Sequence, residues 1–462
     1  MSRSDLGFFG KVHHTIATAI ARAATISRNN QNNAFSSPIR PMDYSMRLAF
    51  AAVVLAACTS APEKKEVAHA PEPLTCPPVV EPVCPQPPPL PPQPPPQPPA
   101  PEPEYRGRLQ PAAWSELPDW RKEPLSPALG AFLLGCATLE NQALWKKVCA
   151  AARALAPGAS EADIAAFFES QLTPFQVLNA DESTTGMVTG YYEPLLHGSR
   201  TQSKRFRYPI YGVPQDLLTI DLSSVYPDLK NRRLRGRVEG NKVVPYLARG
   251  DIDKGSGAPL KGLEIAWVDD AVDVFFLHIQ GSGQVQLEDG QRIRVGYADQ
   301  NGHPFRSLGG LLIRKGELKP ERASMQGIKE WARRNPRRVQ AFMNANPSYV
   351  FFRELAPDLP GPIGSLGVPL TGERSLAIDP RVIPLGAPVY LATTWPSSSD
   401  PLNRLMVAQD TGGAIAGGVR ADFFWGFGDT AGAIAGRMRQ QGRMWALMPN
   451  GYVPAPPPAA RP

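Results

Sequence analysis

The sequence predicts a mainly β protein with a helical front, and three observations carry that reading. From residue 185 onward, short apolar runs are bounded by Gly, Pro, Asn and Asp, the punctuation of strands and turns. Between residues 126 and 168, apolar residues recur instead at helical spacing. Of the 52 prolines, many crowd into one stretch before residue 105, so the folded part is shorter than the 462 residues of the chain.

Taken in order, residues 1–57 read as a signal region with an upstream extension. Residues 48–57 (LAFAAVVLAA) are apolar over a signal-peptide length, too short for a membrane span, and follow Met46-Arg47. Residues 1–41 are too long and polar for the start of such a signal, so Met42 or Met46 is the expected start. The run ends at Leu55-Ala56-Ala57-Cys58, which resembles a bacterial lipobox and marks Cys58 as the lipidation site. Thr59 follows, where an inner-membrane lipoprotein usually has Asp, which points to the outer membrane. Residues 58–104 form a Pro-rich tether, expected as extended polyproline II.

Order is expected from Tyr105. Ser126-Pro127 opens a helix through Leu129, Phe132, Leu133, Cys136 and Leu139, and Leu144, Val148, Ala152 and Leu155 mark a second. A third spans residues 160–168, with Glu161 in its first turn. Cys136 and Cys149 either pair between the first two helices or remain buried thiols. Residues 185–192 alternate as a strand. Residues 265–279 hold two apolar runs around Asp269-Asp270, read as strands, with His278 on the second. Asp289-Gly290 signals a hairpin. A helical stretch returns between residues 324 and 342. Short strands then run to Met448, and a small-residue helix over 430–438 closes the pattern.

A net charge of +7 and a pI near 9.1 favour an anionic partner. No nucleic-acid module is present in the pattern. The run KNRRLRGR (residues 230–237) is short and reads as a solvated loop or hairpin. The six histidines are scattered and there is no CxxC, so no metal or other cofactor is expected.

Chemistry concentrates in residues 405–425, LMVAQDTGGAIAGGVRADFFW. Asp410 ends an apolar run before the tight turn Thr411-Gly412-Gly413, and Asp422 precedes Phe423, Phe424 and Trp425. A carboxyl beside apolar surface loses hydration and its pKa rises, which suits a general acid. The plainer alternative is that both aspartates brace turns. Asp429 before a helix reads as an N-cap, and Asp379 as a structural residue orienting the loop before Ile383-Pro384.

These aspartates resemble the three-aspartate (3D) domain of lytic transglycosylases, and the likeness extends upstream. Thr189-Gly190-Tyr191-Tyr192-Glu193-Pro194, Leu263-Glu264-Ile265-Ala266-Trp267 and Phe276-Leu277-His278-Ile279-Gln280-Gly281-Ser282-Gly283 carry it. So do Gly296-Tyr297-Ala298, Asn301-Gly302-His303-Pro304 and Asn346-Pro347-Ser348-Tyr349-Val350-Phe351-Phe352. Over roughly residues 105–448 the chain resembles the membrane-bound lytic murein transglycosylase A family.

The resemblance implies two β-barrel-like domains with a groove between them. A double-psi β-barrel would be built from residues 105–204 and 347–450, with a smaller barrel, residues 205–346, inserted and residues 451–462 as a tail. It implies non-hydrolytic cleavage of the β-1,4 bond between N-acetylmuramic acid and N-acetylglucosamine, leaving a 1,6-anhydro ring. Asp422 matches the family's catalytic acid and base, with Asp410 beside it. Gln280, Ser282, Gly283, Thr411 and Gly412 are expected to contact sugar. Tyr191 and Tyr192 either stack on sugar or are half-buried, and alternation lets only one face the groove. Trp425 and Phe427 read as core. The implied partners are peptidoglycan glycan strands, a lipid anchor and cell-wall synthesis complexes, with the chain on the outer membrane facing the periplasm of a Gram-negative bacterium. Two alternatives stand beside this: a hydrolytic muramidase in which Asp410 activates water, and a non-catalytic glycan-binding module.

Overall fold

The computed structural model describes residues 105–454 apart from 156–157, 227–228, 230–231, 233 and 256–258. The signal region, Cys58 and the Pro-rich tether lie outside the described residues.

The chain enters through strand β1 (Gly107–Pro111) and helices α1 (Ser126–Leu139), α2 (Ala143–Ala154) and α3 (Glu161–Gln171). Pro127 stands in the first turn of α1, where its missing N–H costs nothing. Ser160 caps α3 by accepting from Asp163 N. Cys136 and Cys149 are disulfide-bonded, with Cα atoms 5.5 Å apart, so the pairing alternative holds and α1 is tied to α2.

Strands β2 (Leu172–Asn179), β3 (Gly186–Glu193), β4 (Leu195–Ser199), β5 (Tyr208–Tyr211), β6 (Leu218–Thr219), β7 (Arg235–Glu239) and β8 (Lys242–Pro245) follow. Next come α4 (Arg249–Asp253), β9 (Glu264–Val268), α5 (Ala271–Gln280), β10 (Ser282–Leu287) and β11 (Arg292–Gln300). Helices α6 (Leu308–Arg314), α7 (Met325–Arg334) and α8 (Val339–Asn344) lead to β12 (Val350–Leu355), β13 (Ser375–Ala377), β14 (Pro388–Thr394), β15 (Pro401–Asp410) and β16 (Ala421–Phe427). Helix α9 (Gly428–Ala435) and β17 (Arg439–Pro449) complete the order.

Among the described residues three sheets result. The first runs β1-β2-β17-β14-β15-β13-β16-β3, and β17 also pairs with β3, so six of its strands return on themselves in a ring. Its core packs under α1 to α3, with Trp120, Phe132, Phe168 and Tyr390 in edge-on contact. The second sheet runs β12-β11-β10-β4-β9-β5 over Leu196, Val268, Leu277, Val285 and Phe352. The third is the small β6-β7-β8 sheet.

The first two sheets meet where β3 passes into β4. Glu193, 1% exposed, is paired with Arg294 of β11 (Nε–Oε1 2.8 Å) and accepts from Gln284 Nε2 at 3.0 Å. One residue earlier, Tyr192 N donates to Gln280 Oε1 at 3.0 Å.

Three sequence expectations are corrected. Residues 271–280 form a helix and not a strand, because AVDVFFLHIQ is buried on nearly every side and shows no helical period. Asp270 caps it through Val272 N, and Gly281 ends it at φ 79°, a left-handed stop that favours glycine. Residues 308–314 are likewise helical, capped by Ser307. The small-residue helix begins at Gly428 and does not close the fold, since β17 follows and supplies the strand that completes the ring.

Candidate active site

The site is built on one face of the first sheet. Strand β13 lies between β15 and β16, and Ala377 is the register partner of Asp410 on one side and Asp422 on the other. Direct partners carry their side chains on the same face, so both carboxyls rise from one surface about two strand spacings, ~10 Å, apart at Cα. On β3, Thr189 is registered with Asp422, and Tyr191 with Phe424, which puts both on that face too. The other face carries Leu376, Phe423 and Trp425 into the main core. Gly190 has no room for a side chain there: a Cβ would stand 2.7 Å from Trp425 Nε1.

The two aspartates have different surroundings. Asp410 Oδ1 accepts from Ser365 N (3.0 Å) and Ser365 Oγ (2.9 Å), and Oδ2 accepts from Tyr191 OH at 2.9 Å. Thr411 N adds a backbone donor. Burial raises its pKa, and these four donors, which favour the charged form, oppose the rise. Among the described residues Asp422 accepts one hydrogen bond, from Thr189 Oγ1 at 2.7 Å, on Oδ1. Burial among its apolar neighbours pushes its pKa up to about 6; Thr189 and the guanidinium of Arg420 pull against this, and the charge of Asp410 adds to it. Neither aspartate is sealed from solvent, so protons can exchange.

A cleft of about 420 Å³ opens beside Asp410. Ser365, Asp410, Thr411 and Gly412 line it from the first sheet, and Gln280, Ser282, Tyr297, Gln300 and Arg353 from the second. Asp422 lies further along the same sheet face, outside that lining but within electrostatic reach of Asp410. Ser365 joins the two walls of the Asp410 turn, since its hydroxyl also meets Thr411 Oγ1 at 2.7 Å.

Most of the residues singled out in the sequence converge here. Gly283 does not line the cleft; a Cβ there would meet Leu277 Cδ1 at 2.5 Å, so tight packing accounts for it. Tyr191 and Tyr192 are 8% and 6% exposed, and neither offers an open ring face. Tyr191 reaches under the site to hold Asp410, while Tyr192 points to the other face against Gly432 and Met325. Trp425 is core as expected, but Phe427 is exposed and lies beneath the Arg292 guanidinium at 5.9 Å.

Asp429 is not an N-cap. Phe427 holds that position, and Asp429 sits in the first turn of α9, favoured there by the helix dipole. Asp379 is 1% exposed and accepts from Arg381 N (3.1 Å), Arg381 Nε (2.8 Å) and Gly417 N (2.9 Å), which ties its loop to the turn before β16. Thr189 and Ser365 were not among the expected site residues. Thr189 is visible only once β3 is registered against β16, and Ser365 lies 45 residues from its partner in an irregular segment.

This architecture matches known proteins on both sequence and structure. Residues 187–353 match the MltA specific insert domain and residues 374–448 the 3D domain, and the relatives that the chain resembles are lytic murein transglycosylases. Membrane-bound lytic murein transglycosylase A of Escherichia coli is 33% identical over 281 residues, 59% of this chain and 68% of that protein. The crystal structure of MltA from Neisseria gonorrhoeae is 40% identical, with a TM-score of 0.65, covering 78% of this chain and 99% of that one. E. coli MltA with bound chitohexaose is 27% identical, with a TM-score of 0.53, over 76% of this chain and 96% of that one. The chain belongs to the membrane-bound lytic murein transglycosylase A family.

Proposed function

We propose that this protein cleaves the β-1,4 bond between N-acetylmuramic acid and N-acetylglucosamine in peptidoglycan without water, with Asp422 as the one proton-transferring residue. Family membership makes it a peptidoglycan lytic transglycosylase. The observation that carries the residue assignment is the contrast between the two carboxyls. Asp422 has a single hydrogen-bond donor and a pKa near 6, so a substantial fraction holds a proton in mildly acidic to neutral solution. Asp410 is surrounded by donors that leave little lone-pair capacity for activating water.

In the proposed reaction Asp422 gives its proton to the glycosidic oxygen as the bond to C1 breaks. The muramyl C6 hydroxyl then attacks C1 and passes its proton to the same carboxylate. This regenerates the acid and closes the 1,6-anhydro ring. Negative charge on Asp410 keeps the proton on Asp422 between turnovers and stabilises positive charge developing at C1. Gln280, Ser282, Thr411 and Gly412 bind the strand along the cleft, a role supported by chitohexaose in the E. coli relative.

On the same reading the six-strand ring is a double-psi β-barrel and the second sheet belongs to the inserted barrel. Cys58 carries the lipid that holds the chain on the outer membrane, facing the periplasm, where cell-wall synthesis complexes are candidate partners. Mass analysis of fragments released from purified sacculi tests the reaction: 1,6-anhydro ends are expected, and reducing muramic acid ends would indicate hydrolysis instead.

A further inference from the structure

The cleft beside Asp410 is lined by one cation. Among the residues lining it, the charged side chains are Asp410 and Arg353. His278 lines it too, but burial and the neighbouring Arg249 hold it well below the usual histidine range, so it adds no charge. Arg353 stands on β12, the strand at one end of the second sheet, in register with Gly296 of β11. The adjacent Phe352 turns into the second core, so alternation sends Arg353 to the opposite face, where it meets the cleft.

The carboxylates around Arg353 already have cations. Glu354, the next residue, is gripped by both terminal nitrogens of Arg200, at 2.7 and 2.8 Å. Asp299 on the neighbouring strand is paired with Arg235 at 2.9 Å, and Glu193 with Arg294 at 2.8 Å. On the facing wall, Asp410 is taken up by Ser365, Thr411 and Tyr191. Among the described residues none holds Arg353 in a hydrogen bond or ion pair, and its side chain is exposed. A free guanidinium is a planar fork of donors that fits a carboxylate with two parallel hydrogen bonds.

A strand of N-acetylglucosamine alone offers that fork no anion. N-acetylmuramic acid does, because its lactyl arm ends in a carboxylate, either free or extended by a stem peptide that bears carboxylates of its own. Such an anion is repelled by Asp410, and Arg353 is the lining cation that offsets the repulsion. We propose that Arg353 is a specificity-determining residue, which binds a carboxylate on the muramyl lactyl arm and so distinguishes muramyl strands from plain N-acetylglucosamine strands. The proposal rests on the peptidoglycan reading above and names the group by which that substrate is selected.

Two forms of soluble glycan strand test it on the intact protein: peptide-free strands, and the same strands with their lactyl carboxylates converted to amides. The measurement is the KM for release of anhydro ends. Amidation of the strands, or Arg353→Gln with native strands, is expected to raise KM about tenfold with little change in kcat. The two together should do no more than either alone, because they remove the same contact. Arg353→Lys, which keeps the charge, should recover part of the loss. Peptide-bearing soluble strands, whose lactyl groups are already amides, locate the carboxylate. A loss from Arg353→Gln on these strands and not on peptide-free ones assigns it to the stem. Unchanged KM for Arg353→Gln on both kinds of strand, or losses from amidation and substitution that simply multiply, overturns the proposal. If the unaltered protein releases no anhydro ends, the parent reading fails, and calorimetric Kd values for the same strands decide this proposal through the same comparison.

Discussion

Asp422 and Asp410 share a sheet face and differ in what surrounds them, and that difference sets what each substitution should do. Asp422→Asn keeps the shape and removes the transferable proton. Loss of general acid or base catalysis typically costs roughly 10²–10⁴-fold, so anhydro-end release should fall by at least that much while sacculus binding persists. Asp410→Asn should be milder, because in the proposed reaction Asp410 moves no proton. An active Asp422→Asn beside a dead Asp410→Asn, both folded, would reverse the assignment. In the unaltered enzyme, turnover should decline as pH rises through about 6 and the Asp422 proton is lost.

The same shift has a consequence for stability. The folded state keeps the Asp422 proton up to about pH 6, whereas the unfolded chain loses it near 3.8. The folded form therefore binds more protons between those values, and stability falls as pH rises across that window. Asp422→Asn removes the loss. The variant should be more stable than the unaltered protein at pH 7 by on the order of 2 kcal/mol, a rise of a few degrees in melting temperature, with no gain near pH 3.5. Equal melting temperatures at both pH values would show that the carboxyl is not held in a desolvating environment.

At the scale of elements, the join between the sheets contains a buried ion pair. Glu193 is nearly inaccessible, and Arg294 is its cation. Arg294→Leu strands a carboxylate that burial already pushes upward. Losing one partner of a buried pair costs about 3–5 kcal/mol. A clear drop in thermal midpoint is expected, and Glu193→Gln combined with Arg294→Leu should recover part of it. No drop in the single variant would mean that the ion pair adds nothing to the join beyond packing and the Tyr192 N–Gln280 hydrogen bond.

Element by element, the sequence was most informative where local chemistry and burial agree. Ser126-Pro127 and Ser160 mark helix starts that the fold uses, and Asp422 does sit near a strand start with aromatic residues behind it. It misled at α5, where aromatic and β-branched residues buried all round mimic a strand, and the caps Asp270 and Gly281 went unread. The pairing of Asp422 with Thr189, of Asp410 with Ser365 and Tyr191, and of Glu193 with Arg294 could not be read from spacing. Each depends on strands brought together from distant parts of the chain, and register is a tertiary property.

At the scale of the whole molecule, a folded unit that cuts a wall polymer must be held near the wall without being held still. Residues 59–104 have the composition for this: proline removes backbone donors and fixes φ, and the apolar content is too low for a core. Were this segment extended polyproline II, at about 3.1 Å per residue it would reach on the order of 100 Å. If it serves only as a spacer, a chain beginning at Tyr105 should melt within about a degree of one beginning at Cys58 and release anhydro ends from purified sacculi at the same rate. A melting temperature several degrees lower would show instead that the segment packs on the folded unit and contributes to its stability. Anchoring is the complementary half of the argument. Cys58→Ala should abolish palmitate labelling and release the protein from the outer-membrane fraction while leaving its melting temperature and its activity on purified sacculi unchanged, and equal labelling of both proteins would remove Cys58 as the anchor.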